Sequence, residues 1–160
     1  MNNRNHLVSV ASLLFLTALA MPSVCAGAQD APDVAGTYVP LSNAPFGDNP
    51  RGQLILGRDG HYSLLIVRAS LPKIAAGARD KGTTEENKAI ISGSIVHVGK
   101  YTVDADGKAI TFNVEVSSFP NWEGSTFKRA LKISGDEITY TNSAPSGGGK
   151  PFDAVWKRVQ

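Results

Sequence analysis

Ile95-Val96-His97-Val98-Gly99-Lys100-Tyr101-Thr102-Val103-Asp104-Ala105-Asp106-Gly107-Lys108-Ala109-Ile110-Thr111-Phe112-Asn113-Val114-Glu115-Val116 reads as a single β-hairpin. Two runs rich in β-branched and aromatic residues flank the tight turn Asp104-Ala105-Asp106-Gly107. Pairing Val103 with Lys108 sets Ile95, His97, Gly99, Tyr101 and Val103 beside Ile110, Phe112, Val114 and Val116. The opposite face carries Lys100, Thr111, Asn113, Glu115 and Ser117. Side chains alternate along a strand, so the apolar set is expected inward and the polar set outward.

Outward from this hairpin, the same grammar repeats. Strands are expected at Gly36–Leu41, Gly52–Gly57, His61–Ala69, Gly93–Val103, Lys108–Ser118, Thr126–Ser134, Glu137–Asn142 and Phe152–Val159. Short turns at Asp59-Gly60, Asp104 to Gly107 and Gly135-Asp136 alternate with long connections at Ser42 to Arg51, Ser70 to Ser92, Phe119 to Ser125 and Ser143 to Pro151. In an up-and-down meander, alternate connections fall at opposite ends. The expected fold is therefore all-β, an eight-stranded antiparallel barrel with a tight closed end and an elaborated mouth. Within the longest loop, Thr83-Thr84-Glu85-Glu86 is a capping box opening a short helix that ends before Gly93, and Ile90 and Ile91 give it an apolar side suited to a lid or plug.

The start of the chain reads differently. Arg4 precedes an apolar stretch from Leu7 to Met21, Pro22 ends it, and Ala26-Gly27-Ala28 has the small residues a signal peptidase needs. The stretch is shorter than the ~20 apolar residues of a membrane span. Residues 1–28 are thus expected to be a signal peptide, 29–35 a short tail and 36–160 the barrel domain, with the mature protein periplasmic or secreted. Cys25 falls in the discarded part, and Pro22-Ser23-Val24 before it does not resemble a lipoprotein signal. The mature chain then has no disulfide and no thiolate, so its core must stabilise the fold alone. Removing Arg4 leaves 15 basic against 14 acidic side chains, a balance that points to no charged macromolecule. No basic run is interleaved with aromatics, so nucleic acid is not an expected partner. The oligomeric state is not legible.

Each apolar stripe carries an intruder. His97, Arg129, Arg68 and Asn142 stand where Val or Leu would be expected, towards the mouth ends of their strands. A buried guanidinium is costly unless paired, and these stripes carry no acid. An anionic ligand oxygen would supply the missing acceptor through planar bidentate donors. Tyr62, Tyr101 and Tyr140 would add hydroxyls deeper in, and Trp122, in Phe119-Pro120-Asn121-Trp122-Glu123-Gly124, would stack on a ligand or close the lumen. Plainer readings stand beside these. Arg68 snorkels to solvent; Arg129 pairs with Glu115 or Glu123; His97 is a hydrogen-bonded core residue; Asn142 ends its strand; Trp122 caps the core. Glu115 faces outward in this register, and a bulge near Ser117 would turn it inward as a partner for His97 or Arg129. The histidines make no metal spacing, no Ser sits in a nucleophile elbow, and Gly147-Gly148-Gly149 lacks the rest of a phosphate loop, so no metal or cofactor is expected.

Several stretches together resemble the bacterial lipocalin-like domain family of the calycin group. They are Gly36-Thr37-Tyr38, Asp59-Gly60-His61-Tyr62-Ser63, Gly82 to Lys88, Gly93 to Tyr101, Glu115 to Gly124 and Arg158 near the last strand's end. Gly36-Thr37-Tyr38 looks like the lipocalin Gly-x-Trp signature with Tyr in place of Trp, and Arg158 like the basic residue that covers that aromatic. The resemblance implies an eight-stranded barrel and, by analogy with related barrels, a bound hydrophobic molecule. The leading expectation is an exported binder of a small amphipathic, anionic ligand. The alternative is a cofactor-free isomerase, cyclase or lyase with His97 as base and Arg129 or Arg68 stabilising developing charge. A lumen filled by its own side chains is the third possibility.

Overall fold

A computed structural model describes residues 31–159; the signal-peptide assignment at 1–28 and the first residues of the tail lie outside them. The described strands are β1 (Gly36–Asn43), β2 (Arg51–Leu56), β3 (His61–Val67), β4 (Ser94–Val103), β5 (Ala109–Ser117), β6 (Thr126–Ser134), β7 (Glu137–Asn142) and β8 (Phe152–Arg158). They close in sequence order, each antiparallel to the next, and β8 returns to β1. The short turns do collect at one end, where Gly60, Gly107 and Gly135 take φ of 81°, 70° and 56°. That left-handed region is open to glycine without a Cβ clash.

Inward positions of every strand meet in one core. Tyr38, Leu54, Leu56, Tyr62, Leu64, Ile66, Ile110, Phe112, Ile138, Tyr140, Ala154 and Trp156 are all buried in it. The closed end is sealed from the first strand. Tyr38 donates its hydroxyl to the Val34 carbonyl at 2.7 Å, and the Arg158 guanidinium lies 5.0 Å over the Tyr38 ring while donating to the Ala35 carbonyl. Val34 and Ala35, expected as tail, are therefore buried against the barrel.

Two strand features differ from expectation. β1 runs past Leu41 to Asn43, because a register shift between Pro40 and Ser42 lets it keep pairing with β8, Asn43 opposite Ala154. The β4–β5 ladder also shifts: Gly99 faces Val114, but Val98 faces Val116 and His97 faces Ser117, leaving Glu115 as the extra residue. This is a β-bulge. It turns Ser117 inward and Val116 outward, 59% exposed, against the expected lumen position of Val116. Glu115 itself stays exposed.

The mouth is built from three 3-10 turns and one helix. The turns are Ala44–Phe46, Arg79–Lys81 and Pro120–Trp122, and the helix α1 is Thr84–Ser92. Both capping-box bonds form, Glu86 N–H to Thr83 Oγ1 at 3.2 Å and Thr83 N–H to Glu86 Oε2 at 2.8 Å. The helix lies along the rim and buries none of its residues; Ile91 is 73% exposed, so it does not plug the lumen.

Candidate functional site

Below the mouth the lumen keeps a chamber of about 60 Å³. His97 on β4, Arg129 on β6, Tyr140 and Asn142 on β7 and Trp122 from the β5–β6 loop all line it. Four strands or loops thus deliver polar groups to one space, because each lies on an inward position of its strand or turn. A second, larger space of about 260 Å³ lies above it, between α1 and the loops carrying Phe46, Phe119 and Gly147. Pro45, Phe46, Ile95, Ser146 and Gly147 border both, so the upper space is a vestibule to the chamber.

Arg129 is the charged group of the chamber. It is 6% exposed, and among the described residues no carboxylate lies within ion-pair distance of it. Glu123, one expected partner, instead accepts the Ser117 N–H at 3.2 Å. The guanidinium sits over three aromatic faces, Tyr140 at 5.1 Å, Phe127 at 5.3 Å and Phe112 at 5.6 Å. Such contacts offset part of its desolvation. Burial lowers its pKa, with partial compensation from Tyr140 and Tyr62. A group that starts so basic still carries its charge at neutral pH.

His97 is 3% exposed and hydrogen-bonded through Nδ1 to the Tyr62 hydroxyl at 2.8 Å. Trp122 meets the imidazole edge-on at 5.6 Å, and Tyr62 at 5.4 Å. Burial holds its pKa down to about 3, and the Arg129 charge adds to the effect. The ring is therefore neutral at physiological pH, a poor proton acceptor but a competent hydrogen-bonding group. Burial likewise raises the pKa of Tyr140, moderated by Arg129, so it remains a phenol. Asn142, which lines the chamber, accepts the Ala144 N–H on Oδ1 at 3.3 Å, so the group it has left to offer is its amide NH₂.

The remaining sequence-derived residues stand elsewhere. Arg68 lies one residue past the end of β3, exposed, its side chain hydrogen-bonded among the described residues to the Pro45 carbonyl alone, at 3.5 Å, so the alternation that would have aimed it inward stops before reaching it. The Tyr101 hydroxyl donates to the Gly57 carbonyl at 3.0 Å, at the closed end, because Tyr101 lies where β4 runs into the Asp104–Gly107 turn. Glu115 is on the outside at the bulge. Tyr62 stands behind His97 rather than in the chamber wall. Asn43 is a chamber residue to which the strand pattern does not point: it is 5% exposed, lines the chamber, and its Oδ1 is buried with no hydrogen-bond partner among the described residues. Its only sequence signal is a polar residue two positions before Pro45, beyond the expected end of β1. Among the described residues no group of three His, Cys, Asp or Glu has metal-holding geometry.

A closed antiparallel barrel, sealed at one end and keeping a cation-bearing chamber at the other, has the architecture on which small-molecule sites are built. The lipocalin-like domain family matches residues 35–159, and the chain belongs to that family. It is also 26% identical, over 61% of its length and 96% of the relative's, to a protein of Aspergillus oryzae named 4'-hydroxy-3'-methoxypropiophenone carrier protein. Family and relative together suggest the binding of a small hydrophobic ligand.

Proposed function

We propose that this protein binds and carries a small amphipathic molecule whose anionic or carbonyl oxygen docks on Arg129. The observation that carries the proposal is the buried guanidinium that lines a chamber and has no carboxylate partner among the described residues. A chamber of about 60 Å³ takes a head group and a few atoms more. The apolar body then continues past Phe46 and Ile95 into the vestibule rather than down the lumen, where Phe112, Val114 and Leu131 are packed against their neighbours. Aromatic walls at Trp122, Tyr140 and Phe46 favour a flat or aryl body. The relative's name, an aryl ketone carrier, supports that class.

Benzoate and acetophenone have similar bodies and differ in charge. A buried charge-assisted contact is worth about 1.5–3 kcal/mol, or about one to two decades of affinity. Arg129→Met is expected to weaken benzoate by that much and acetophenone little, measured by titration followed by NMR. Equal losses for both probes would make Arg129 structural. Turnover with His97 as base has less support, since a ring of pKa about 3 takes up a proton poorly at neutral pH.

Export is part of the same proposal, and the tripartite sequence of residues 1–28 supports it. The exported protein is expected to begin near Gln29. Its intact mass decides this, and an uncleaved or acylated start would defeat it.

A further inference from the structure

The Tyr62–His97 pair sets what the chamber can recognise. Both side chains are buried, and the 2.8 Å contact to Nδ1 is the hydrogen bond formed by the Tyr62 hydroxyl among the described residues. Two arrangements are possible in a neutral imidazole. With the proton on Nδ1, the ring donates to the phenol oxygen and the phenol hydrogen is left buried without an acceptor. With the proton on Nε2, the phenol donates to Nδ1 and the one hydrogen left over is the Nε2–H of a ring that lines the chamber, where a ligand oxygen can accept it. Buried donors without acceptors are rare because they forfeit solvation and gain nothing in return.

We propose that Tyr62 is a specificity-determining residue: it holds His97 in the Nε2–H form, so that the chamber presents His97, Arg129 and the Asn142 amide as hydrogen-bond donors to one acceptor oxygen of the ligand. This rests on the binding function proposed above and narrows its ligand class. The Asn142 amide is oriented by a comparable device, its oxygen being occupied by the Ala144 N–H. The preferred head group is then a carboxylate, or a carbonyl flanked by apolar atoms. A hydroxyl, which needs an acceptor for its own hydrogen, is disfavoured. Trp122 and Phe112 hold the imidazole edge-on at 5.6 and 6.5 Å, so the ring is also fixed in orientation. Tyr62 is a positioning residue here, acting through His97.

The test has a spectroscopic and a binding arm. In the full-length mature protein, long-range 15N–1H correlation of the imidazole distinguishes a bare ring nitrogen from a protonated one. A bare Nδ1 and a protonated Nε2 are expected for His97 at pH 7 without ligand. A protonated Nδ1 overturns the proposal. For binding, acetophenone and benzyl alcohol are compared, since both are neutral and the Arg129 charge largely cancels. The wild type is expected to favour acetophenone by about threefold to tenfold, the worth of one neutral hydrogen bond. Tyr62→Phe frees Nδ1, lets the ring present a bare Nε2, and should bring that ratio close to one. An unchanged ratio in a folded Tyr62→Phe protein overturns the role of Tyr62. Should that variant not fold, the wild-type spectrum and the wild-type ratio still decide, because a ratio of one there overturns the selectivity. Failure of benzoate, acetophenone and benzyl alcohol alike to bind, with Nε2 protonated, overturns the binding function while leaving the tautomer assigned.

Discussion

At the scale of single residues, the chamber places a neutral histidine and a charged arginine in the same buried space, and this has a cost that depends on pH. His97 takes up its proton near pH 6.5 when unfolded but only at about 3 when folded. Between those values the unfolded chain holds more protons, so stability falls as pH is lowered through that window. The slope contributed by this one group approaches about 1.4 kcal/mol per pH unit at its steepest. Urea unfolding between pH 7 and 4 should show it, and His97→Gln should flatten that limb. Asp33 and Asp59, whose pKa values are lowered mainly by backbone hydrogen bonds, act at lower pH and equally in both proteins. Parallel curves for wild type and variant would mean that His97 titrates alike folded and unfolded. His97 and Arg129 were legible in the sequence because a polar residue on an apolar stripe needs an explanation. The Tyr62 contact was not. It spans β3 and β4, which are joined by a long loop, and a long loop leaves strand register unset where a two-residue turn fixes it.

At the scale of elements, the β4–β5 bulge decides which groups reach the lumen near the mouth. Alternation carried from the Asp104–Gly107 turn holds along β4 through His97 and Ile95, but on β5 only as far as Val114, since the extra residue Glu115 inverts the faces of Val116 and Ser117. Nothing in Val114-Glu115-Val116 marks the insertion, because either face of that segment is chemically acceptable at a strand end. What fixes the bulge is close approach of backbones. A Cβ on Gly99 would run into the carbonyl oxygen of Asn113 across the ladder. Gly99→Ala is therefore expected to cost about 1–3 kcal/mol in urea unfolding, the range for forcing atoms into a packed site. A neutral result would show that β5 yields there. The helix α1 was legible to the residue, because a capping box is a local device that needs no tertiary information. Its placement was not legible. Ile90 and Ile91 give the helix the apolar side of a plug, yet the rim already has Phe46, Ile95 and Phe119, and Ile91 is left facing the vestibule.

At the scale of the whole barrel, stability and recognition are separated along the axis. The closed end is bound by Arg158 over Tyr38 and by the Val34 and Ala35 carbonyls, none of which lines the chamber, while the β1–β8 ladder runs on from there to the Asn43–Ala154 pair at the chamber wall. The open end is lined by loops and by a helix with no buried residue. Substitutions at the two ends should therefore sort cleanly. Arg158→Met removes a cation–π contact and a charge-assisted hydrogen bond, and should cost about 2 kcal/mol while leaving benzoate affinity unchanged. Ile91→Ser alters an exposed residue and should change stability by less than about 0.5 kcal/mol. Its effect appears only with a ligand long enough to leave the chamber. Octanoate would lay its chain through the vestibule; losing about 40 Å² of apolar cover there is worth about 1 kcal/mol, or about fivefold in affinity. Benzoate, confined nearer Arg129, should bind Ile91→Ser as it binds the wild type. Equal weakening of octanoate and benzoate by Ile91→Ser would mean that the rim acts on the chamber itself, and no weakening of octanoate would place the apolar body of the ligand somewhere other than the vestibule.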